Sequence, residues 1–235
     1  IFMYAGSQFF EAQDIVYNTA YLLKKCIEIY QKTGKQFEYF DFGGGFGVPE
    51  DDMDGELDMD LLSESLSSLF EQYSKEAAFS KAKYYFFESG RYLAARTAVL
   101  ITKVLDLKES WGEKFIITDM GINALGVKQH DYRIYPPIIK QLVTSGCIEE
   151  YTVVGRTCTP IDQTHPKCKL SQVSIGDILY IPDCGAYSLT FSPNSFCGLR
   201  RVKEVVHKSG EFIMTNRTES YDEVYGRTVI YENIN

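Results

Sequence analysis

Phe40-Asp41-Phe42-Gly43-Gly44-Gly45-Phe46-Gly47 is the stretch whose reading decides the fold. The residues leading into it, 36–41, include Phe37, Tyr39 and Phe40 and read as a buried strand. Three consecutive glycines then leave that strand, with a fourth at Gly47. Without a Cβ, such a turn brings several backbone N–H groups close to an anion. After a strand and before a helix it has the make-up of a phosphate cradle. Taken alone it is equally an ordinary flexible turn, so the surroundings decide.

Upstream, residues 1–5 form an apolar strand that stops at Gly6-Ser7-Gln8. Residues 12–33 place Ile15, Ala20, Leu22, Leu23, Ile27, Ile29 and Tyr30 at helical spacing, and the pattern ends before Gly34. Downstream of the glycines, Leu61, Leu62, Leu66, Leu69 and Phe70 mark a second helix over 58–77. Residues 83–87 are a third strand, closed by Glu88-Ser89-Gly90-Arg91, and Tyr84-Tyr85-Phe86-Phe87 reads as core. Strand, helix, strand, helix, strand implies parallel strands with right-handed crossovers. A closed (β/α)8 barrel needs eight strands and roughly 250 residues. Residues 1–95 are therefore read as the last part of a TIM-type (β/α)8 barrel whose earlier strands are not in this chain.

From residue 96 the rhythm changes. Residues 97–107, 114–118, 151–154, 177–181, 199–206 and 211–215 read as strands separated by turns. The expectation for 96–235 is an antiparallel β-sandwich or barrel with helical segments near 186–195 and 219–225. The fold class is thus α/β plus all-β.

The composition is that of a globular protein: 45% hydrophobic, 24% charged, net charge −8 over 235 residues. Without a basic block, a nucleic-acid backbone is not the expected partner. No apolar run approaches the roughly 20 residues needed to span a bilayer, and no signal peptide opens the chain. The apolar start at Ile1, without an initiator Met, is read as the inside of something longer. The acidic run 50–60 reads as a solvated loop feeding a helix, and its spacing fails the EF-hand pattern. Six scattered cysteines without a CxxC pair suit reduced thiols in the cytoplasm. Cys158, His165 and Cys168 match no common zinc spacing, and no metal is expected.

Three strand ends in succession carry polar or glycine signatures, on the face where such barrels keep their chemistry. Backbone amides with Ser7 and Arg91 suit a phosphate, and Glu88 beside them needs a cationic partner such as a protonated ring nitrogen. With Cys158-Thr159-Pro160-Ile161-Asp162 and Gly185-Ala186-Tyr187 added, the ordered motifs resemble the fold-type III pyridoxal-phosphate decarboxylases related to diaminopimelate, ornithine and arginine decarboxylase. The resemblance spans nearly the whole chain. It implies pyridoxal 5'-phosphate as cofactor, with Ser7, Gly43, Gly44, Gly45, Gly47, Gly90, Arg91 and Tyr187 around its phosphate. It implies Glu88 on the pyridine nitrogen, keeping the ring an electron sink, and Cys158 as the acid that protonates the carbon after carbon dioxide leaves. It implies a homodimer with shared active sites, and a segment near 186–195 that returns to the cofactor. Asp162 orders the loop or meets substrate; Asn123 and Arg133 are weaker substrate candidates. His130 and His207 fall outside every motif.

Three departures qualify the resemblance. No lysine here sits in the Lys-Ala-Asn-like context of the family's Schiff-base lysine, so residues 1–235 alone are expected to be inactive. Tyr4 and Phe2 stand where relatives place histidines, although an aromatic ring can still stack on the cofactor. Thr159 replaces the acid of diamine-forming relatives, which argues against a free basic amino acid as substrate. The Cys-Thr-Pro-Ile-Asp form resembles a secondary-metabolite branch, some of whose members act on carrier-tethered amino acids. Two rivals stay open: an inactive homologue that regulates a partner in a mixed dimer, and a non-enzymatic phosphate-binding module. The first has no chemical need for Cys158, Glu88 and Arg91 together; the second leaves Cys158 and Glu88 unexplained.

Overall fold

The computed structural model describes residues 1–49, 55–125, 137–193 and 196–226. The chain divides into two compact units, Ile1–Ala98 and Val99–Asn235.

In the first unit, residues 1–3 run extended beside strand β1 (Tyr39–Asp41). A parallel bridge joins Phe2 to Asp41, with Met3 N–H donating to Asp41 O at 3.0 Å and Asp41 N–H to Ile1 O at 2.9 Å. Strand β2 (Tyr84–Phe86) lies parallel on the other side, Phe40 opposite Tyr85. Helix α1 (Ala12–Thr33) buries Ile15, Thr19, Leu22, Leu23 and Cys26 along one stripe. It ends where Gly34 turns left-handed (φ 72°) and donates to Tyr30 O at 2.7 Å. Helix α2 (Met59–Tyr73) starts where the Asp58 side chain accepts the Leu61 N–H at 2.9 Å. Both helices cover one sheet face, where Leu22, Leu23, Phe40, Phe42, Tyr73 and Phe79 form the core. Burial in that core pushes the Cys26 thiol up to about 11.

The other sheet face corrects the expectation of a fully buried aromatic strand. Alternation along β2 turns Tyr85 toward Phe70, 4.7 Å away centre to centre, and sends Tyr84 and Phe86 outward. Those two stack with Tyr39 at 5.6 and 6.4 Å, and all three are about half exposed. Helix α3 (Gly90–Ala94) follows β2.

The second unit is built on a six-stranded sheet in the order β5-β8-β3-β4-β6-β7. Its strands are β3 (Leu100–Ser110), β4 (Glu113–Thr118), β5 (Lys140–Gln141), β6 (Ile148–Val154), β7 (Gln163–Ser171) and β8 (Ile178–Ile181). The sheet is mixed rather than antiparallel: β4 and β6 pair parallel, Ile116 opposite Val153. A parallel pair needs a crossover of a dozen or more residues, and the stretch from 119 to 147, carrying helix α4 (Ile122–Leu125), supplies it. Strands β5 and β7 were not legible in the sequence. In β7, Pro166 interrupts a run whose Thr164, Cys168 and Leu170 are nonetheless buried in alternation. Irregular register beside it accommodates the proline. The two edge strands are joined by a side chain: Gln141 Nε2 donates to Ser171 O at 3.2 Å, and Ser171 N–H donates back to Gln141 Oε1 at 2.7 Å. Val104, Ile116, Leu125, Val153, Leu179 and Ile181 fill the interior.

Strands β9 (Glu204–Lys208) and β10 (Glu211–Asn216) form a separate hairpin, where His207 packs on Phe212. Among the described residues of the expected helical segment near 186–195 there is one 3-10 turn, Leu189–Phe191, and a further short turn, Phe196–Gly198, lies just beyond it with Cys197 in left-handed backbone. Helix α5 (Tyr221–Tyr225) opens with a capping box between Ser220 and Glu223. No helix among the described residues is long and apolar enough to cross a membrane.

Candidate active site

In the first unit, the three strand-end signatures meet. A Cβ on Gly44 would stand 2.2 Å from Glu88 O, one on Gly45 2.3 Å from Gly6 O, and one on Gly43 2.8 Å from Met3 O. The glycines are therefore needed for close backbone crossing, and Gly43 and Gly45 also take positive φ (69° and 92°). Hydrogen bonds lock the crossing: Glu88 N–H donates to Gly43 O at 2.8 Å and Phe9 N–H to Gly45 O at 2.7 Å. Gln8 grips the far side of the loop, its amide bonded to both N–H and C=O of Val48 at 3.0 Å.

Among the described residues, the N–H groups of Gly44 and Gly45 donate to no protein acceptor. Ser7 and Glu88 are exposed at the same end of the sheet, with Arg91 half-buried. Tyr4 is 63% exposed beside Gly43. Free donors, a hydroxyl, a guanidinium and a carboxylate at one strand end fit a phosphate carrying a basic ring.

In the second unit, the loop between β6 and β7 holds Cys158, exposed, on the rim of a cleft of about 550 Å³ shared with Lys108, Ser110, Phe115, Arg156 and Thr159. Asp162 shapes this loop. Only 2% exposed, it accepts Ile122 N–H at 2.7 Å through Oδ1, and Thr157 N–H and Oγ1–H at 2.8 and 2.5 Å through Oδ2. Gly121 and Gly155 press on its carboxylate so closely that no Cβ fits at either. The sequence left open whether Asp162 orders the loop or meets substrate; with both oxygens engaged, the geometry assigns it the first task. Asn123 is likewise buried: its Oδ1 accepts Gly121 N–H at 3.2 Å and its Nδ2 donates to Arg200 O at 3.4 Å. It braces backbone and also lines a cleft of about 680 Å³ with Asp119, Met120, Arg156 and Arg200.

Tyr187 is 42% exposed in a left-handed turn (φ 53°), edge-on to Phe191 at 5.4 Å, and so is no core tyrosine. Arg133 and His130 lie outside the described residues. Partial desolvation first, then the nearby Cys158 thiol, hold the Cys197 pKa above the usual thiol range. Sequence reasoning passes over Gln8, Thr157 and Cys197. Gln8 stood inside a quoted motif, whereas nothing local marked the other two.

Residues 15–185 match the family model described as pyridoxal-dependent decarboxylase, C-terminal sheet domain. The chain belongs to this family. Among the curated decarboxylases, it is 30% identical over 231 residues to the L-glutamyl-[BtrI acyl-carrier protein] decarboxylase of Niallia circulans, covering 95% of this chain and 54% of the relative. It is 27% identical to the diaminopimelate decarboxylase of Methanothermobacter thermautotrophicus, over 95% of this chain and 52% of the relative. The solved structure of AQ1208 from Aquifex aeolicus superimposes with a TM-score of 0.84 at 26% identity, covering 96% of this chain and 53% of that one. Diaminopimelate decarboxylase from M. jannaschii, solved with L-lysine, gives 0.87 at 22% identity over 98% and 51%, a likeness of fold. The chain spans about half the length of the curated relatives it matches.

Proposed function

We propose that the chain is part of a pyridoxal-phosphate-dependent amino-acid decarboxylase, with residues 1–95 forming the end of its (β/α)8 barrel. The observation that carries the reading is the glycine loop 43–47, wedged between Gly6 and Glu88 with the Gly44 and Gly45 N–H groups still open. Those N–H groups, with Ser7 and Arg91, would hold the cofactor phosphate, Glu88 would keep the ring nitrogen protonated, and Tyr4 would offer its ring for stacking. Bound pyridoxal phosphate supplies the electron sink for the pair left when the C–CO2 bond breaks. Cys158 then delivers its thiol proton to that carbon, and the Asp162-braced loop keeps the thiol in place. The Schiff-base lysine is contributed by residues outside these 235, since none here has its context.

The substrate is an amino acid other than a free diamine precursor, carried by a protein tether. Thr159 in place of an acid and the 30% identity to a carrier-protein decarboxylase both favour this. The enzyme works in the cytoplasm as a homodimer, with Cys158 serving the partner's cofactor. The test is the full-length protein with pyridoxal phosphate, assayed for carbon dioxide release from free and carrier-tethered amino acids. Visible absorbance of bound cofactor and release from the tethered form support the proposal; a protein that binds no cofactor overturns it.

A further inference from the structure

Four cations, Arg156, Arg200, Arg201 and Lys203, line the cleft of about 680 Å³ above Asn123, all of it within the second unit. The acid in the same described lining is Asp119, whose Oδ1 already accepts the Thr102 hydroxyl at 2.6 Å and the Lys103 N–H at 2.9 Å. Apolar side chains supply much of the remaining wall. Ile101 comes from the start of β3, while Val205 and Phe212 share one face of the β9–β10 hairpin. Ile101 and Phe212 are 67% and 78% exposed, so this wall stands open. The cations are held in position. Gly155 N–H donates to Asp162 O and Thr157 N–H to Asp162 Oδ2, both at 2.8 Å, which pins the backbone on each side of Arg156. The Asn123 amide holds the Arg200 carbonyl at 3.4 Å, and the Arg200 guanidinium lies over Tyr221, 4.9 Å from the ring centre. Arg201 meets Glu219 at 3.7 Å, a long exposed pair that contributes little. Arg156 and Lys203 have no ion-pair partner among the described residues. Arg156 also lines the cleft whose rim carries Cys158, so the two clefts meet at its side chain.

We propose that this cleft binds the phosphodiester of the substrate's tether, and that the tether runs past Arg156 toward Cys158. Guanidinium and ammonium groups are the strong partners of phosphate oxygens. The apolar wall suits the methylenes and amides of a phosphopantetheine arm, and the volume is that of a small-ligand site. Inorganic phosphate would leave Ile101, Val205 and Phe212 without an occupant, and an uncharged chain would leave the cations without one. Arg200, Arg201 and Lys203 thereby set specificity: they hold a group remote from the reacting carbon and favour the tethered amino acid over the free one. The identity of the ligand rests on the tethered-substrate reading, whereas phosphate binding at these cations does not.

The full-length holoenzyme, its cofactor site filled, is titrated calorimetrically with 4'-phosphopantetheine, with pantetheine and with inorganic phosphate. The expected result is about tenfold tighter binding of 4'-phosphopantetheine than of either other probe. A double variant, Arg156→Gln with Lys203→Glu, loses that preference while keeping the cofactor absorbance of the parent. A Lys167→Gln control, on a different cleft, keeps the preference. Equal affinity of the wild-type enzyme for 4'-phosphopantetheine and pantetheine overturns the inference without reference to any variant. Inorganic phosphate binding as tightly as 4'-phosphopantetheine overturns the tether, and a preference that survives the double variant overturns the placement in this cleft. Carbon dioxide release from a tethered amino acid alongside equal probe affinities overturns this inference alone and leaves the proposed function standing. A full-length protein that binds no cofactor overturns the proposed function instead.

Discussion

Gln8 and Val48, 40 positions apart, are joined by both faces of one amide: Nε2 donates to Val48 O and Oε1 accepts from Val48 N–H, each at 3.0 Å. The pair fastens the turn after the first extended segment to the exit of the glycine loop, so two of the three strand-end signatures move as one. Replacing Gln8 by Ala removes two part-buried hydrogen bonds, each contributing about 1 kcal/mol. The expected outcome is about tenfold weaker cofactor retention, measured by titrating pyridoxal phosphate into the full-length protein. Unchanged affinity would show that the loop holds its shape without the amide.

Gly44 is the tightest point of that crossing. A Gly44→Ala substitution drives a methyl into Glu88 O and is expected to cost about 3 kcal/mol, the range of core overpacking. Gly90 is the control: a Cβ there meets nothing within 4 Å, and its φ is ordinary. Gly90→Ala is expected to be neutral or slightly stabilising, by less than about 1 kcal/mol. Thermal denaturation of the two variants side by side separates a steric role from mere flexibility.

Asp162 sets the loop that carries Cys158. Asp162→Ala leaves buried donors of Ile122 and Thr157 without their acceptor, about 1–3 kcal/mol for each group. The expected signature is a fall in turnover with cofactor affinity retained, because the damage stays within the second unit. Parallel measurement of kcat and of pyridoxal phosphate binding checks it, and equal loss in both would assign Asp162 a broader structural role.

Cys158→Ala should bind cofactor as the parent does and still fail to give correctly protonated product. Product analysis in deuterated water, read by mass spectrometry, reports on that proton. Unaltered product would remove the acid role.

Glu223 offers a pH test. The hydrogen bond from Arg217, followed by that from the Ser220 N–H, holds its carboxyl down at about 2. A folded-state value below the ordinary one of about 4.3 means its contribution is in place above that pH. The contribution is lost as pH falls through about 2. Amide exchange in α5 should therefore speed up between those values, and Glu223→Gln should abolish the dependence. A Glu223 titration midpoint near 4 by NMR would show the pairing does not hold in solution.

Helix α1 was legible to its last residue, because Ile15, Leu22, Leu23 and the Gly34 stop all act within a few turns of one another. The same locality made the glycine run and the strands on either side visible. Strand β7 escaped because Pro166 masks its alternation, and β5 because two residues carry no periodicity at all. At the site, Gly43–Gly47, Glu88 and Cys158 were readable as residue types, whereas their neighbours were not.

By itself, then, the sequence determined what short-range chemistry can encode: helical stripes, strand ends, a turn that only glycine can make, and an exposed thiol in a distinctive motif. Folding in three dimensions decided the parallel pairing of β4 with β6, the outward face of Tyr39, Tyr84 and Phe86, and the conversion of Asp162 from possible substrate contact to buried brace. Each of these depends on which distant segments share a boundary. That choice is made by the packing of the whole unit, because no residue within a few positions carries the energy that makes it.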